Sequence, residues 1–315
     1  LKIILLTSYR SGSSFIGSLL KLNRDIFYMF EPLMFFSLDT FDHQCELDSS
    51  ITFDPIMVID QLLDCSIQKV LSISERLFPG KYCAFARRVW IRTCFKLAMK
   101  AEDIEATCKS KQHVAMKIIR FHDIDMISKL LEKDKSIRVF NLYRDPRGVI
   151  SSIAKLEKYN RTQREYEDIG KSICDRDTEN IVYIKQHMTI YSNSQLKVLR
   201  YEDFAVKPVR MSNQMFAYLG YTVSSNIRAW IYTLTHRKTN NGEIKSPYPY
   251  GISRNATAVA FQWTKTLQPE FIWKLQSHCK QFMQEMGYQV ISEINNSTVD
   301  ISSILLPFPN FLPSL

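Results

Sequence analysis

This sequence of 315 residues lacks most of the features that would assign it to a common chemistry. Glycine is scarce, at 9 residues, and no stretch reads GxxxxGK[ST], the loop whose lysine holds the terminal phosphates of ATP or GTP. That absence speaks against nucleoside-triphosphate hydrolysis. Cys45, Cys65, Cys83, Cys94, Cys108, Cys174 and Cys279 never fall in CxxC spacing, which argues against a zinc cluster. Their number leaves room for disulfides in an oxidising compartment, with at least one thiol left over. No apolar run reaches the roughly 20 residues that a membrane-spanning helix needs. The chain opens on Leu1 rather than Met, so trimming is expected, and a membrane anchor is possible only through a missing N-terminal segment. Basic helices, zinc-finger spacings and aromatic-studded RNA motifs are absent as well. The net charge of +9 favours an anionic ligand or partner; nucleic acid is the default reading, these motifs do not support it, and a small polyanionic cofactor explains the charge equally well.

What is present is an ordinary globular composition, 45% hydrophobic and 23% charged, enough for a single α/β domain over residues 1–315. The first 31 residues organise it. Ile3 to Leu6 has the continuous apolar character of a buried parallel strand. A small, hydroxylic turn follows, Thr7 to Ser14, and then a helical pattern with Phe15, Ile16, Leu19 and Leu20 on one face. A helix start reached through such a turn is an anion site, because its first amides lack intrahelical partners and the helix dipole is positive there. Arg10 adds a full charge, Gly12 permits close backbone approach, and Ser11, Ser13 and Ser14 offer hydroxyl donors. Taken alone, the turn is equally compatible with Ser13 and Ser14 capping a core helix.

A short strand over 26–30 ends at Glu31-Pro32, where Pro32 favours an extended or turn conformation at Glu31. Residues 35 to about 112 are expected to form a helical insertion, a candidate lid or acceptor wall. Within it Arg87, Arg88, Arg92 and Lys96 are expected on a solvated face. The sheet pattern returns with strands at 114–119 and 137–143, separated by a helix over 122–133. The second of these strands runs into Arg144-Asp-Pro-Arg-Gly148 and a helix. This second strand–turn–helix unit carries Arg144, Arg147, Ser151 and Ser152. Arg144 and Ser152 face one pocket if the arginine reaches along the helix; a surface pair of Arg144 with Asp145 is the plainer alternative.

An outer helix is expected over 161–191, with Tyr166, Ile169, Ile173 and Ile181 facing in. A strand over 196–201 is expected to end at Glu202-Asp203. The methionines at 211 and 215 read as core. A loop over 237–256 rich in Pro, Gly and Asn is expected to be functional or disordered, and a final helix to run from Pro269 to Gly287. The apolar tail 300–315, broken by Pro307, Pro309 and Pro313, is expected to pack along the body or fray. The fold class is thus α/β, a P-loop-like central parallel sheet flanked by helices, with ligands at the carboxyl ends of the strands.

Five segments in order, YRSGSSF at 9–15, FYMFEP at 27–32, LYRDPRGVISS at 142–152, LRYEDFAVKP at 199–208 and YGISRNA at 250–256, resemble carbohydrate sulfotransferases. The nearest likeness is to the Golgi branch acting on the 6-hydroxyl of galactose, N-acetylgalactosamine or N-acetylglucosamine. The resemblance implies 3′-phosphoadenosine-5′-phosphosulfate (PAPS) as cofactor, with no metal required, and a glycan acceptor. It implies that Arg10 to Phe15 cradle the 5′-phosphosulfate and that Arg144 and Ser152 hold the 3′-phosphate. Arg254 would close over the cofactor, and Glu31 would be the base that takes the acceptor's proton. His43, His122 and His236 are rivals for that role without motif support. Arg at position 10 matches this branch, where other relatives carry Lys, and its fork suits a bridging role at phosphate. Phe35-Phe36 stand where relatives often carry Trp and His, so acceptor contacts are expected to differ.

The resemblance further implies a Golgi-lumenal, type II membrane glycoprotein. N-x-[ST] sequons begin at Asn160, Asn255, Asn295 and Asn296; Asn255 is expected to be unmodified or to point outward. A catalytically silent cofactor- or glycan-binding relative is the alternative of a different class.

Overall fold

The computed structural model describes residues 1–36, 54–78, 81–95, 100–187, 195–236, 255–291, 303–310 and 312–315, without the side chains of 81–86 and 89. Five strands form one parallel sheet in the order β2-β3-β1-β4-β5: β1 Lys2–Thr7, β2 Ile26–Phe30, β3 His113–Ile118, β4 Ile137–Tyr143 and β5 Leu196–Arg200. Ile3 to Leu6 are wholly buried, as an apolar run without alternation requires when both faces of a sheet are covered. Register is set by Ile3 opposite Ala115 and Tyr28 opposite Ala115 from the other side. The strand order reverses at β1 and β4. In open α/β sheets this switch point is where ligands bind.

Fifteen helices surround these strands among the described residues: α1 Ser13–Leu22, α2 Pro55–Leu63, α3 Ile67–Leu77, α4 Lys81–Phe95, α5 Ala101–Lys109, α6 Ile124–Lys133, α7 Pro146–Leu156, α8 Gln163–His187, α9 Tyr201–Val206, α10 Pro208–Tyr218, α11 Ser225–Thr235, α12 Ala256–Ala260, α13 Trp263–Thr266, α14 Pro269–His278 and α15 Lys280–Met286. None is long and apolar enough to cross a membrane.

The chain divides into two compact units, Leu1–Thr7 with Ile16–Phe140, and Ser8–Phe15 with Asn141–Leu315. In the first, a disulfide joins Cys65, at the end of α2, to Cys108 in α5. Phe35 and Phe36 are buried against Trp90 and Phe78, and the Trp90 indole donates to the Pro32 carbonyl at 2.9 Å. Both phenylalanines are thus core residues. Arg87 also departs from the solvated face expected of it: it donates to the carbonyls of Ser74 and Phe78 at 3.3 and 3.1 Å. Its guanidinium lies 5.7 Å from the centre of the Phe35 ring.

In the second unit a disulfide joins Cys174 of α8 to Cys279. The helix expected from Pro269 to Gly287 is two helices, α14 and α15, meeting at that bridged cysteine. Gly170 lets α14 approach α8, since a Cβ there would run into Leu275. β5 stops at Arg200, one residue earlier than expected, and Tyr201 to Val206 coil at once into α9. Arg200 explains the corner. Its guanidinium pairs with Asp203 through two nitrogens, at 2.9 and 3.0 Å, and donates to the carbonyls of Met286 and Leu306 at 2.9 and 3.0 Å. The described part of the tail packs on the body: Ile304 and Leu312 are buried, and the Val198 amide of edge strand β5 donates to the Pro313 carbonyl at 2.7 Å. A covered edge has fewer open ladder groups for another chain to pair with.

Candidate active site

The turn after β1 adopts a conformation few residues tolerate. Arg10 has φ 63° and Gly12 φ 87°, both left-handed. A Cβ on Gly12 would strike the Tyr201 ring, so glycine is required by space as well as by backbone. Ser11 turns its hydroxyl onto the Ser8 carbonyl at 2.7 Å, and the Phe15 amide reaches the Gly12 carbonyl at 3.0 Å. Ser13 and the Phe15 side chain are buried, and Ser14 is half-buried. Ser8 is held from α8: its hydroxyl donates to the buried Asp177 carboxylate at 3.1 Å and accepts from Arg176 at 2.8 Å.

The second turn meets the first. Arg144 donates to the Arg10 carbonyl at 2.9 Å and to the Val259 carbonyl of α12 at 3.2 Å, and its guanidinium lies 4.7 Å over the Tyr201 ring. Its third nitrogen, Nε, is buried and has no partner among the described residues. Gly148, one turn into α7, makes room for it, since a Cβ there would stand 3.1 Å from that Nε. Arg10 donates through Nε to Ser152 at 3.0 Å. Arg10, Gly12, Arg144 and Ser152 thus converge, although the family resemblance implied two ends of one ligand for them. Arg254 lies outside the described residues.

Arg147 does not join them. It is fully buried, paired with Asp145 at 2.7 Å, stacked 4.1 Å over Trp263 and donating to Gln276 at 2.6 Å. The expected alternative, a surface pair of Arg144 with Asp145, is likewise not found: Asp145 is buried, caps α7 by accepting the Arg147 amide at 2.9 Å, and pairs with Arg147. Ser151 bonds Thr266 at 2.8 Å. Below the corner lies Glu202, completely buried, accepting from the Asp145 amide at 3.2 Å and from the Tyr288 hydroxyl at 2.8 Å. Burial, and then the neighbouring Asp145 carboxylate, push its pKa up to about 7 against the opposing pull of Arg144.

Glu31 belongs to the first unit. It is left-handed at φ 49°, a strained conformation for a non-glycine at a strand end. Its carboxylate meets Lys117 of β3 at 2.7 Å and Arg120 at 3.8 Å. Lys117 is itself buried, with its ammonium 3.8 Å over the Phe30 ring. His122 is buried, His236 stacks on Tyr232, and His43 lies outside the described residues.

A family profile described as Sulfotransferase domain matches residues 1–287. The chain belongs to that family. It is similar to carbohydrate sulfotransferase 1 of Homo sapiens, 25% identical over 95% of this chain and 82% of the relative. It is also similar to carbohydrate sulfotransferase 5 of Mus musculus, 27% identical over 97% and 85%. Among solved structures, the sulfotransferase domain from the curacin biosynthetic pathway superposes with a TM-score of 0.52 at 14% identity, covering 92% of this chain and 98% of that one, a likeness of fold.

The motifs of this sulfotransferase name Arg10, Arg144 and Ser152 as candidates and leave out the buried charges Lys117 and Glu202. A signal for Lys117 stands in the sequence: a lone charge inside the apolar strand run Val114 to Ile119. A buried lysine is rare unless paired, so it announces a carboxylate partner. Glu202 gave no such sign, because Glu202-Asp203 reads as the polar end of a strand.

Proposed function

We propose that this chain transfers a sulfuryl group from PAPS to a sugar hydroxyl of a glycan, the 6-hydroxyl of galactose, N-acetylgalactosamine or N-acetylglucosamine. The observation that carries the reading is the convergence of Arg10, Arg144 and Ser152 on two turns relieved of side chains at Gly12 and Gly148. A buried, unpartnered Arg144 Nε suits a phosphate oxygen, since an arginine donor left without an acceptor in the interior is costly. The carbohydrate sulfotransferase relatives support a sugar acceptor.

When bound, the cofactor supplies the sulfuryl group on a 5′-phosphate leaving group. Arg10 and the first amides of α1 would hold the 5′-phosphate end and offset its negative charge, with Ser11, Ser13, Ser14 and Phe15 shaping the cradle. Arg144 and Ser152 hold the 3′-phosphate, and Arg254 is the proposed closing residue. Glu31 takes the acceptor's proton, while Lys117 and Arg120 keep its carboxylate in place.

Two measurements test this. Arg144→Ala is expected to weaken binding of adenosine 3′,5′-bisphosphate (PAP) about 10- to 100-fold, as losing a charged hydrogen-bonding partner predicts. Glu31→Gln is expected to bind PAP normally and lose turnover on a glycan panel by about 100-fold or more. Intact protein that binds no PAP refutes the reading. PAP binding without transfer to any glycan in the panel points instead to a silent relative.

The setting we propose is the Golgi lumen, with the chain a glycoprotein, and the two disulfides support an oxidising compartment. Asn160 is the sequon we expect to be occupied. It is exposed in the turn between α7 and α8, at the opposite end of α7 from Arg144. Asn255 instead caps α12 by accepting the Ala258 amide at 2.9 Å, and its sequon threonine, Thr257, donates to the Ala205 carbonyl at 2.9 Å. Asn295 and Asn296 lie outside the described residues. Glycopeptide mapping of protein secreted from eukaryotic cells should show Asn160 occupied and Asn255 bare; the reverse pattern overturns the assignment.

A further inference from the structure

The LRYEDFAVKP segment has no part in the scheme above, yet it sits under both turns. Tyr201 fills the space that Gly12 vacates and lies beneath the Arg144 guanidinium. Glu202 is buried one residue further on and accepts the amide of Asp145, the residue that follows Arg144. Its other oxygen takes the Tyr288 hydroxyl. We propose that Glu202 couples cofactor binding to proton uptake: when a phosphate settles against Arg144, Glu202 takes a proton. This rests on the assignment of Arg144 to the 3′-phosphate.

The argument is one of charge in a confined cluster. Facing Glu202 are Arg144 and Asp145 from the β4–α7 corner, Arg200 from the end of β5, and Tyr288 after α15; Arg147 and Asp203 join the cluster through Asp145 and Arg200. Arg147 is committed to Asp145, and Arg200 to Asp203. Arg144 has no carboxylate in ion-pair contact among the described residues and is the remaining cation for Glu202. With Glu202 ionised the cluster is neutral. A phosphate on Arg144 adds negative charge to a site that water does not screen, and Glu202 is the carboxylate without a cation of its own. Like charges in one buried site do not both persist; the weaker acid protonates. The raised pKa of about 7 puts that exchange in the neutral range. The proton comes from solvent and stays on a Glu202 carboxyl oxygen, where it donates a hydrogen bond in place of accepting one from Tyr288.

The sign follows. A ligand that raises the pKa of Glu202 binds more weakly as pH rises through about 7, where Glu202 must otherwise ionise. The phosphate groups of PAP titrate too, with the opposite effect, and equally in every variant. The test is calorimetric titration with PAP between about pH 6 and about 8.5, on both sides of the Glu202 transition, in buffers of differing ionisation heat so that protons are counted. Glu202→Gln should lose proton uptake relative to the parent, and its affinity should exceed the parent's by about threefold to tenfold above the transition and match it below, up to one pKa unit being tenfold. Tyr288→Phe keeps the ring and removes a donor that favours the ionised form. It should shift the transition to higher pH, which provides a second readout if Glu202→Gln folds poorly. Proton uptake and transition unchanged in these variants, in protein that binds PAP, overturn the inference alone. No PAP binding by the parent overturns it together with the cofactor reading.

Discussion

Gly12, Arg144 and Glu31 each occupy a setting that their own chemistry explains. Gly12 combines a left-handed backbone with a Tyr201 ring against its α-carbon. Gly12→Ala is expected to cost about 1–2 kcal/mol from backbone conformation alone. The added methyl also displaces the ring on which Arg144 rests. A lower thermal midpoint and at least about tenfold weaker PAP binding are therefore expected, tenfold being about 1.4 kcal/mol. Affinity equal to the parent's would remove Gly12 from the site. Arg10 and Glu31, the residues given catalytic roles, are also left-handed without being glycine. Strain of that kind persists where surrounding structure enforces it, and sequence does not show it. Nor does sequence separate Arg144 from Arg147. Both are cations at one helix start, but Arg147 points into a buried pocket of Asp145, Trp263 and Gln276 while Arg144 lies back over Gly148.

At the scale of elements, the strand–turn–helix units were legible because each is a contiguous pattern: an apolar run, a small-residue turn, then helical spacing. Pro146 enters α7 in its first turn, as its missing amide permits. Misplaced boundaries have distant causes. β5 yields to α9 because Arg200 is gathered by Asp203, Met286 and Leu306. The last helix breaks at Cys279, whose partner Cys174 is 105 residues away. The bridges themselves yield a prediction. Cys174–Cys279 and Cys65–Cys108 close stretches of 105 and 43 residues, and each is expected to add about 2–5 kcal/mol by restricting the unfolded chain. Denaturant unfolding of Cys174→Ser/Cys279→Ser and Cys65→Ser/Cys108→Ser double variants should show losses in that range, larger for the longer stretch. A loss absent from both variants would show that these bridges do not hold the folded state.

Across the whole molecule, sequence alone determined the fold class and the place of the two strand–turn–helix units. Buried parallel strands leave an uninterrupted apolar signature, and the ligand-binding turns must follow directly on those strands in the chain. Tertiary structure decided what those turns meet. Arg10 finds Ser152 across 142 positions, Asp145 finds Glu202 across 57, and Lys117 reaches Glu31 from a different strand. The spacing of apolar residues reports which side of an element is buried. It carries no record of which distant partner a buried charge will find, because that choice depends on how the elements pack, and in a low-dielectric interior the choice sets the chemistry of the charge.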